Sequence, residues 1–236
     1  MTKSLPMAHK SAHRFGPAGF VREKLGVAAI FTALVVLATG IGNEQSAGQS
    51  SAAAQGGPVT QQQIDGTVHV CTSCHGFGGR SISPTFPNLA GQQHDYIVAQ
   101  LQAFRDHTRA DPHAHTYMWG MAAHLSDAMI EGLAKYFSSQ PPAAATPGDP
   151  ALIAAGKKIF TDGISDRGVP ACMSCHGDKA QGAGTIPRLA DQHPGYIEEQ
   201  LTNFASMARA NEIMHMTSKD LKPEEIRALA AYVGSL

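Results

Sequence analysis

Two six-residue stretches of this 236-residue chain carry the same reactive groups: CTSCHG at Cys71–Gly76 and CMSCHG at Cys172–Gly177. Each holds two thiols three positions apart, with an imidazole directly after the second. All four cysteines of the chain lie in these stretches. A disulfide framework would scatter them, so the pairs point to cofactor chemistry. C-x-x-C-H is the attachment motif of c-type haem. The thiols add to the two haem vinyl groups as thioethers, and two intervening residues let both sulfurs reach one edge of the porphyrin. The histidine that follows brings its imidazole to the iron. The candidate attachment residues are therefore Cys71, Cys74, Cys172 and Cys175, with His75 and His176 as iron ligands. Other uses of paired thiols fit less well. A single zinc ion would have to join cysteine pairs about a hundred residues apart, and it gives no reason for a histidine after each. A thioredoxin-like redox pair expects a strand–helix context, and no alternating strand pattern is present.

The elements around these stretches are repeated too. Pro87-Asn88-Leu89-Ala90 recurs as Pro187-Arg188-Leu189-Ala190. Gln92, Tyr96, Ile97, Gln100, Leu101 and Phe104 recur 100 residues later as Gln192, Tyr196, Ile197, Gln200, Leu201 and Phe204. Further on, Leu125, Ile130, Leu133, Ala134 and Tyr136 recur at an offset of 96 as Leu221, Ile226, Leu229, Ala230 and Tyr232. A repeat of this quality means two copies of one domain. Tyr96, Ile97, Gln100, Leu101 and Phe104 share one helical face. Ser126-Asp127, Asp149-Pro150 and Pro223 are helix starts, the second opening a helix that runs to about Phe160. The expected fold is all-α. Domains of 80–90 residues bury little on their own, and a flat apolar cofactor would give each something to fold around.

The boundaries follow from composition. Lys3, Lys10, Arg14, Arg22 and Lys24 precede an uncharged, mostly apolar run at Leu25–Ile41, and A-x-A follows at Ala52–Ala54. That order is an export signal, with retention as a membrane anchor as its alternative. The chain divides as residues 1–54 signal, 55–140 first domain, 141–147 linker within the Pro-rich stretch Ser138–Pro150, and 148–236 second domain. At 43% hydrophobic and 16% charged the chain is ordinary globular protein. Its net charge is −1, and with the basic signal removed it is about −4, which excludes a general nucleic-acid binder.

With CTSCHG/CMSCHG, FPNLAGQ/IPRLADQ, and a methionine seven residues before a leucine and a final helix, the two halves resemble class I cytochrome c domains. Their tandem arrangement resembles the dihaem cytochrome c4 family over nearly all of the chain after the signal. The resemblance implies two covalent haem c groups, one wrapped by each domain, with haem edges facing. It also implies a methionine as the sixth iron ligand. Met118 lies seven before Leu125 and Met214 seven before Leu221, so the repeat selects these two and leaves Met121 and Met216 as packing residues. His113, His115, His124 and His215 are the other candidates nearby. The resemblance further implies that the carbonyls of Pro87 and Pro187 accept the Nδ1–H of the haem-ligating histidines. Two His/Met-ligated irons leave no open site, so the expected function is a periplasmic electron carrier, not an enzyme. Its expected partners are redox proteins: a terminal oxidase, a dehydrogenase or another cytochrome. The alternative is the cytochrome subunit of an oxidoreductase complex, such as a sulfide or thiosulfate dehydrogenase, or a dihaem enzyme such as a peroxidase.

Overall fold

Thr60 opens the first helix. Its hydroxyl accepts a hydrogen bond from the backbone N–H of Gln63, and the Gln63 side chain bonds back to the Thr60 N–H, so two otherwise orphaned donors are satisfied. The computed structural model describes residues 58–236. The expected signal segment lies outside them. Nine α-helices follow in chain order among the described residues: α1 Gln61–His75, α2 His94–Arg105, α3 Trp119–Ala122, α4 Asp127–Ser138, α5 Pro150–Asp162, α6 Met173–His176, α7 Pro194–Ala205, α8 Glu212–Ser218 and α9 Pro223–Gly234. No strand forms among these residues, only the isolated bridges Ile164–Val169 and Ala183–Ile186. The all-α fold of two tandem helical domains is as expected.

The predicted helix starts carry working caps. Ser126 accepts from Met129 N at the start of α4, and Asp149 accepts from Ala151 N and Leu152 N at the start of α5. Pro223 occupies the first turn of α9, where a missing N–H costs nothing. The inward stripe of α4, Ile130, Leu133, Ala134 and Phe137, is at most 1% exposed. In the second domain Ile226, Leu229, Ala230 and Val233 of α9 are its counterpart, all buried.

The copies differ where the first helix meets the cysteines. In the first domain α1 runs unbroken through Cys71-Thr72-Ser73-Cys74-His75. In the second, α5 stops at Asp162 and a loop intervenes before α6. Gly163 and Gly168 hold φ of +72° and +69° there, and Pro170 lacks an N–H, so no helix can continue. Arg167 ties this loop down by donating to Asp220 O at 2.7 Å and to the Glu225 carboxylate.

Each domain is closed by its first helix crossing its last. In the second, Gly156 of α5 meets α9 so closely that a Cβ there would lie 1.9 Å from Ala228 O. In the first, the small residue sits on the opposite partner: Gly132 of α4 receives the Ile64 side chain of α1. Gly156→Ala therefore tests the crossing. Alanine favours a helix by about 1 kcal/mol, but forcing a methyl against a backbone oxygen costs about 1–3 kcal/mol or more. We expect a lower melting temperature for Gly156→Ala. Gly66→Ala, where a Cβ would meet nothing within 4 Å, should melt no lower than the parent, and equal losses in both would remove the close-crossing argument.

Candidate functional site

The cysteine–histidine stretches stand at the C-terminal ends of α1 and α6, and both end in a glycine that the backbone requires. Gly76 and Gly177 hold φ of +75° and +82°, and a Cβ on Gly76 would lie 2.0 Å from Arg80 O. The chain thus turns back under each histidine and brings up the proline segment. His75 Nδ1 lies 2.9 Å from Pro87 O, and His176 Nδ1 lies 3.0 Å from Pro187 O. A carbonyl only accepts, so Nδ1 carries the proton and Nε2 keeps its lone pair. Burial holds both imidazoles below their ordinary pKa, against the opposing pull of the carbonyl. Each ring is thus a neutral, oriented donor, the form a metal takes.

Burial pushes the Cys71 and Cys172 thiols up to about 11. A redox or nucleophilic cysteine needs a depressed pKa in an electropositive setting, so these thiols suit permanent attachment better than exchange. Among the described residues no three His, Cys, Asp or Glu side chains come together as a group that could hold a metal ion.

A cavity of about 550 Å³ runs between the two domains. Cys71 and His75 border it from one side, and Cys172, Cys175 and His176 from the other. Its walls include Leu101, Leu133 and Phe137, and in the second domain Leu201, Leu229 and Val233. Cys74 and Cys175 are both exposed, and Cys74 does not line the cavity.

Met118 and Met214 both border this cavity. Met118 ends a π-helical turn, Ala114–Met118, in which Trp119 N bonds Ala114 O. That wider turn takes up part of the longer first-domain loop, and the Trp119 indole pins it by donating to Arg109 O at 2.8 Å. Met214 sits in α8, where Asn211 caps its N–H at 2.9 Å. Met121 and Met216 are each 58% exposed, so they face solvent rather than the packing role expected of them. Among the histidines near the methionines, His113 borders the cavity, with Nδ1 2.9 Å from Glu199 Oε1 of the other domain. His215 Nδ1 is 3.1 Å from Phe204 O. His115 packs edge-on against Trp119, and His124 is exposed.

One part of the site escaped the sequence reading. Arg109 and Arg209, also 100 residues apart, are buried where the domains meet. Arg109 donates to Asp111 Oδ2 at 2.8 Å, to Gln100 Oε1 at 2.9 Å and to Gln200 Oε1 at 3.0 Å. Arg209 donates to Gln200 Oε1 and Gln100 Oε1, both at 2.7 Å, and to Tyr96 Oη at 2.8 Å. Each guanidinium also covers a phenylalanine, Phe104 or Phe204, at 4.6 Å. Burial alone would raise the Tyr96 phenol, yet the two guanidiniums bring it below its ordinary pKa. The second domain has Asn211 where the first has Asp111, so two buried cations share one carboxylate. Unpaired buried charge is costly, and the cluster fits an anion in the cavity it borders. The donor set as a whole therefore fits haem: thiols and neutral imidazoles at each side, apolar walls, and cations for its propionates.

The cytochrome c family profile matches residues 67–141 and 153–236. Cytochrome c-552 of Acidithiobacillus ferridurans is 44% identical over 168 residues, 70% of this chain and 73% of the relative. Cytochrome c4 of Stutzerimonas stutzeri is 39% identical over 183 residues, 72% of this chain and 86% of the relative. The solved structure of Acidithiobacillus ferrooxidans cytochrome c4 superposes with a TM-score of 0.67 at 44% identity, covering 70% of this chain and 98% of that one.

Proposed function

The chain belongs to the dihaem cytochrome c4 family, with two class I cytochrome c domains in tandem, and from that premise we propose that it passes single electrons through two His/Met-ligated haems. The family is one of periplasmic electron carriers, and membership implies two covalent haem c groups. We divide the chain at residues 55–140 and 148–236, with 141–147 as linker and 1–54 as export signal.

Cys71, Cys74, Cys172 and Cys175 would hold the haems, with His75 and Met118 on one iron and His176 and Met214 on the other. Bound there, haem supplies one-electron chemistry between ferric and ferrous iron, and the remaining work belongs to the chain. The Pro87 and Pro187 carbonyls fix each imidazole and raise its donor strength. The methionine thioethers would favour the reduced iron and raise the potential. The apolar walls would exclude water from the haems, and Arg109 and Arg209 would balance the propionates. The observation that carries this reading is the duplication of one geometry: a proline-held histidine and a methionine bordering one cavity, in both domains. A relay between redox proteins needs no substrate site.

The optical and EPR spectra of the oxidised protein test it. Both haems should be low-spin and unaltered by added peroxide or cyanide at moderate concentration. A high-spin fraction that binds either ligand would instead favour a haem enzyme.

A further inference from the structure

The peptide group between Pro87 and Asn88 is bonded on both edges. Its carbonyl accepts from His75 Nδ1 at 2.9 Å, and its N–H donates to Gln192 Oε1, in the other domain, at 2.8 Å. The peptide group between Pro187 and Arg188 is bonded the same way. Its carbonyl accepts from His176 Nδ1 at 3.0 Å, and its N–H donates to Gln92 Oε1 of the first domain at 2.7 Å. Each glutamine closes the grip with its amide nitrogen: Gln192 Nε2 donates to Asn88 O at 3.0 Å, and Gln92 Nε2 donates to Arg188 O at 2.9 Å. Both glutamines are buried. Every repeat P-x-L-A-x-Q thus contains the carbonyl that serves its own histidine and the amide that serves the other domain's.

We propose that Gln92 and Gln192 are positioning residues that act in trans, each setting the donor strength of the iron-ligating histidine in the opposite domain through one shared peptide group. Hydrogen bonds in a chain polarise one another. When the peptide N–H is donated to a glutamine oxygen, electron density moves onto the carbonyl, which becomes a better acceptor. The imidazole then gains anionic character and stabilises ferric iron, which lowers the potential. The side chain must accept and donate at once, which explains an amide here better than packing does. Other bonds also hold the domains together, among them Asn88 Nδ2 to Asp191 O at 2.8 Å and His193 Nε2 to Ser81 O at 3.0 Å. The interface is therefore expected to outlast the loss of one glutamine.

The inference rests on His75 and His176 as the iron ligands, and the experiment separates the two. The unsubstituted holoprotein is examined first by NMR and redox titration. If two low-spin haems with resolved histidine Nδ1–H resonances are missing there, the ligand reading fails. With those signals in hand, Gln192→Met keeps the side-chain length and removes the amide. The potential of the His75 haem should rise and the His75 Nδ1–H resonance should move, while the His176 haem keeps its values. Gln92→Met should do the reverse. Gln192→Asn, which withdraws the amide by one methylene, should give a smaller shift of the same sign and serves if the methionine variant does not fold. Merely loosening the interface would admit water, stabilise ferric iron and lower the potential, so the sign discriminates. A shift in the variant's own domain, equal shifts in both, a fall, or no shift overturns the proposal.

Discussion

Protein carrying Cys172→Ala together with Cys175→Ala should retain one covalent haem in denaturing solvent, where the parent retains two. The two thioethers of the second domain are gone, and His176 alone cannot keep a haem through denaturation. The loss reaches the fold. An emptied apolar cavity destabilises by about 24 cal/mol per Å³, so half of the shared 550 Å³ corresponds to roughly 7 kcal/mol. Small domains have about 5–15 kcal/mol in total. A loss of that size is a large share of this range, so the second domain should melt far below its value in the parent, as followed by helical circular dichroism. The first should keep its haem but melt lower, having lost the partner that buries Gln92 and Arg109. The intact mass of the mature parent checks a second expectation at once, a chain that begins near Gln55. Two haems on the variant would remove Cys172 and Cys175 as attachment residues, and one haem on the parent would sink the dihaem reading.

What the sequence made legible was periodic or local. The stripes of α2, α4, α7 and α9 could be read because each buries one face at helical spacing. Ser126, Asp149 and Pro223 could be read because helix starts are settled within three residues. The candidate attachment residues stand out in the sequence for the same reason, since thioether spacing is a local constraint. The rest depends on which faces meet. The repeat reported that Gln92 and Gln192 are alike, yet their common job is to bind each other's domain, and likeness carries no information about contact. Arg109 and Arg209 matched at the same offset. A charged residue after an amphipathic helix carries no local mark of burial, and only the meeting of the two domains buries these two. The interruption between α5 and α6 was written in Gly163, Gly168 and Pro170. The opposed placement of Gly132 and Gly156 could not be read, because a glycine in a helix does not say which neighbour approaches it. Met121 and Met216 looked like core because methionine usually fills gaps, and here both project into solvent.

The other large effect concerns the axial methionines. Met118→Ala should abolish the near-infrared charge-transfer band of one ferric haem and lower that haem's potential. Met214→Ala should do the same to the other, and the double variant should have no such band. Axial ligands set haem potentials over about 0.8 V, and the thioether lies on the side that favours reduced iron, so the fall should be a sizeable part of that range. Met121→Ala and Met216→Ala provide the contrast. Both side chains are more than half exposed, so their truncation should leave the band, both potentials and the melting temperature close to the parent's. The second domain is the sharper test, because Met214, His215 and Met216 are consecutive and slippage of one or two residues in α8 would exchange them. The Asn211 cap on Met214 N and the His215 bond to Phe204 O argue against slippage, since each fixes the register from a different side. If the band survives Met214→Ala and disappears with Met216→Ala, that register is wrong. If His215→Ala alone changes the spectrum, that haem has two nitrogen ligands and a low potential. Electrons would then run from the second domain to the first, a direction that two methionine-ligated centres of similar potential would not impose.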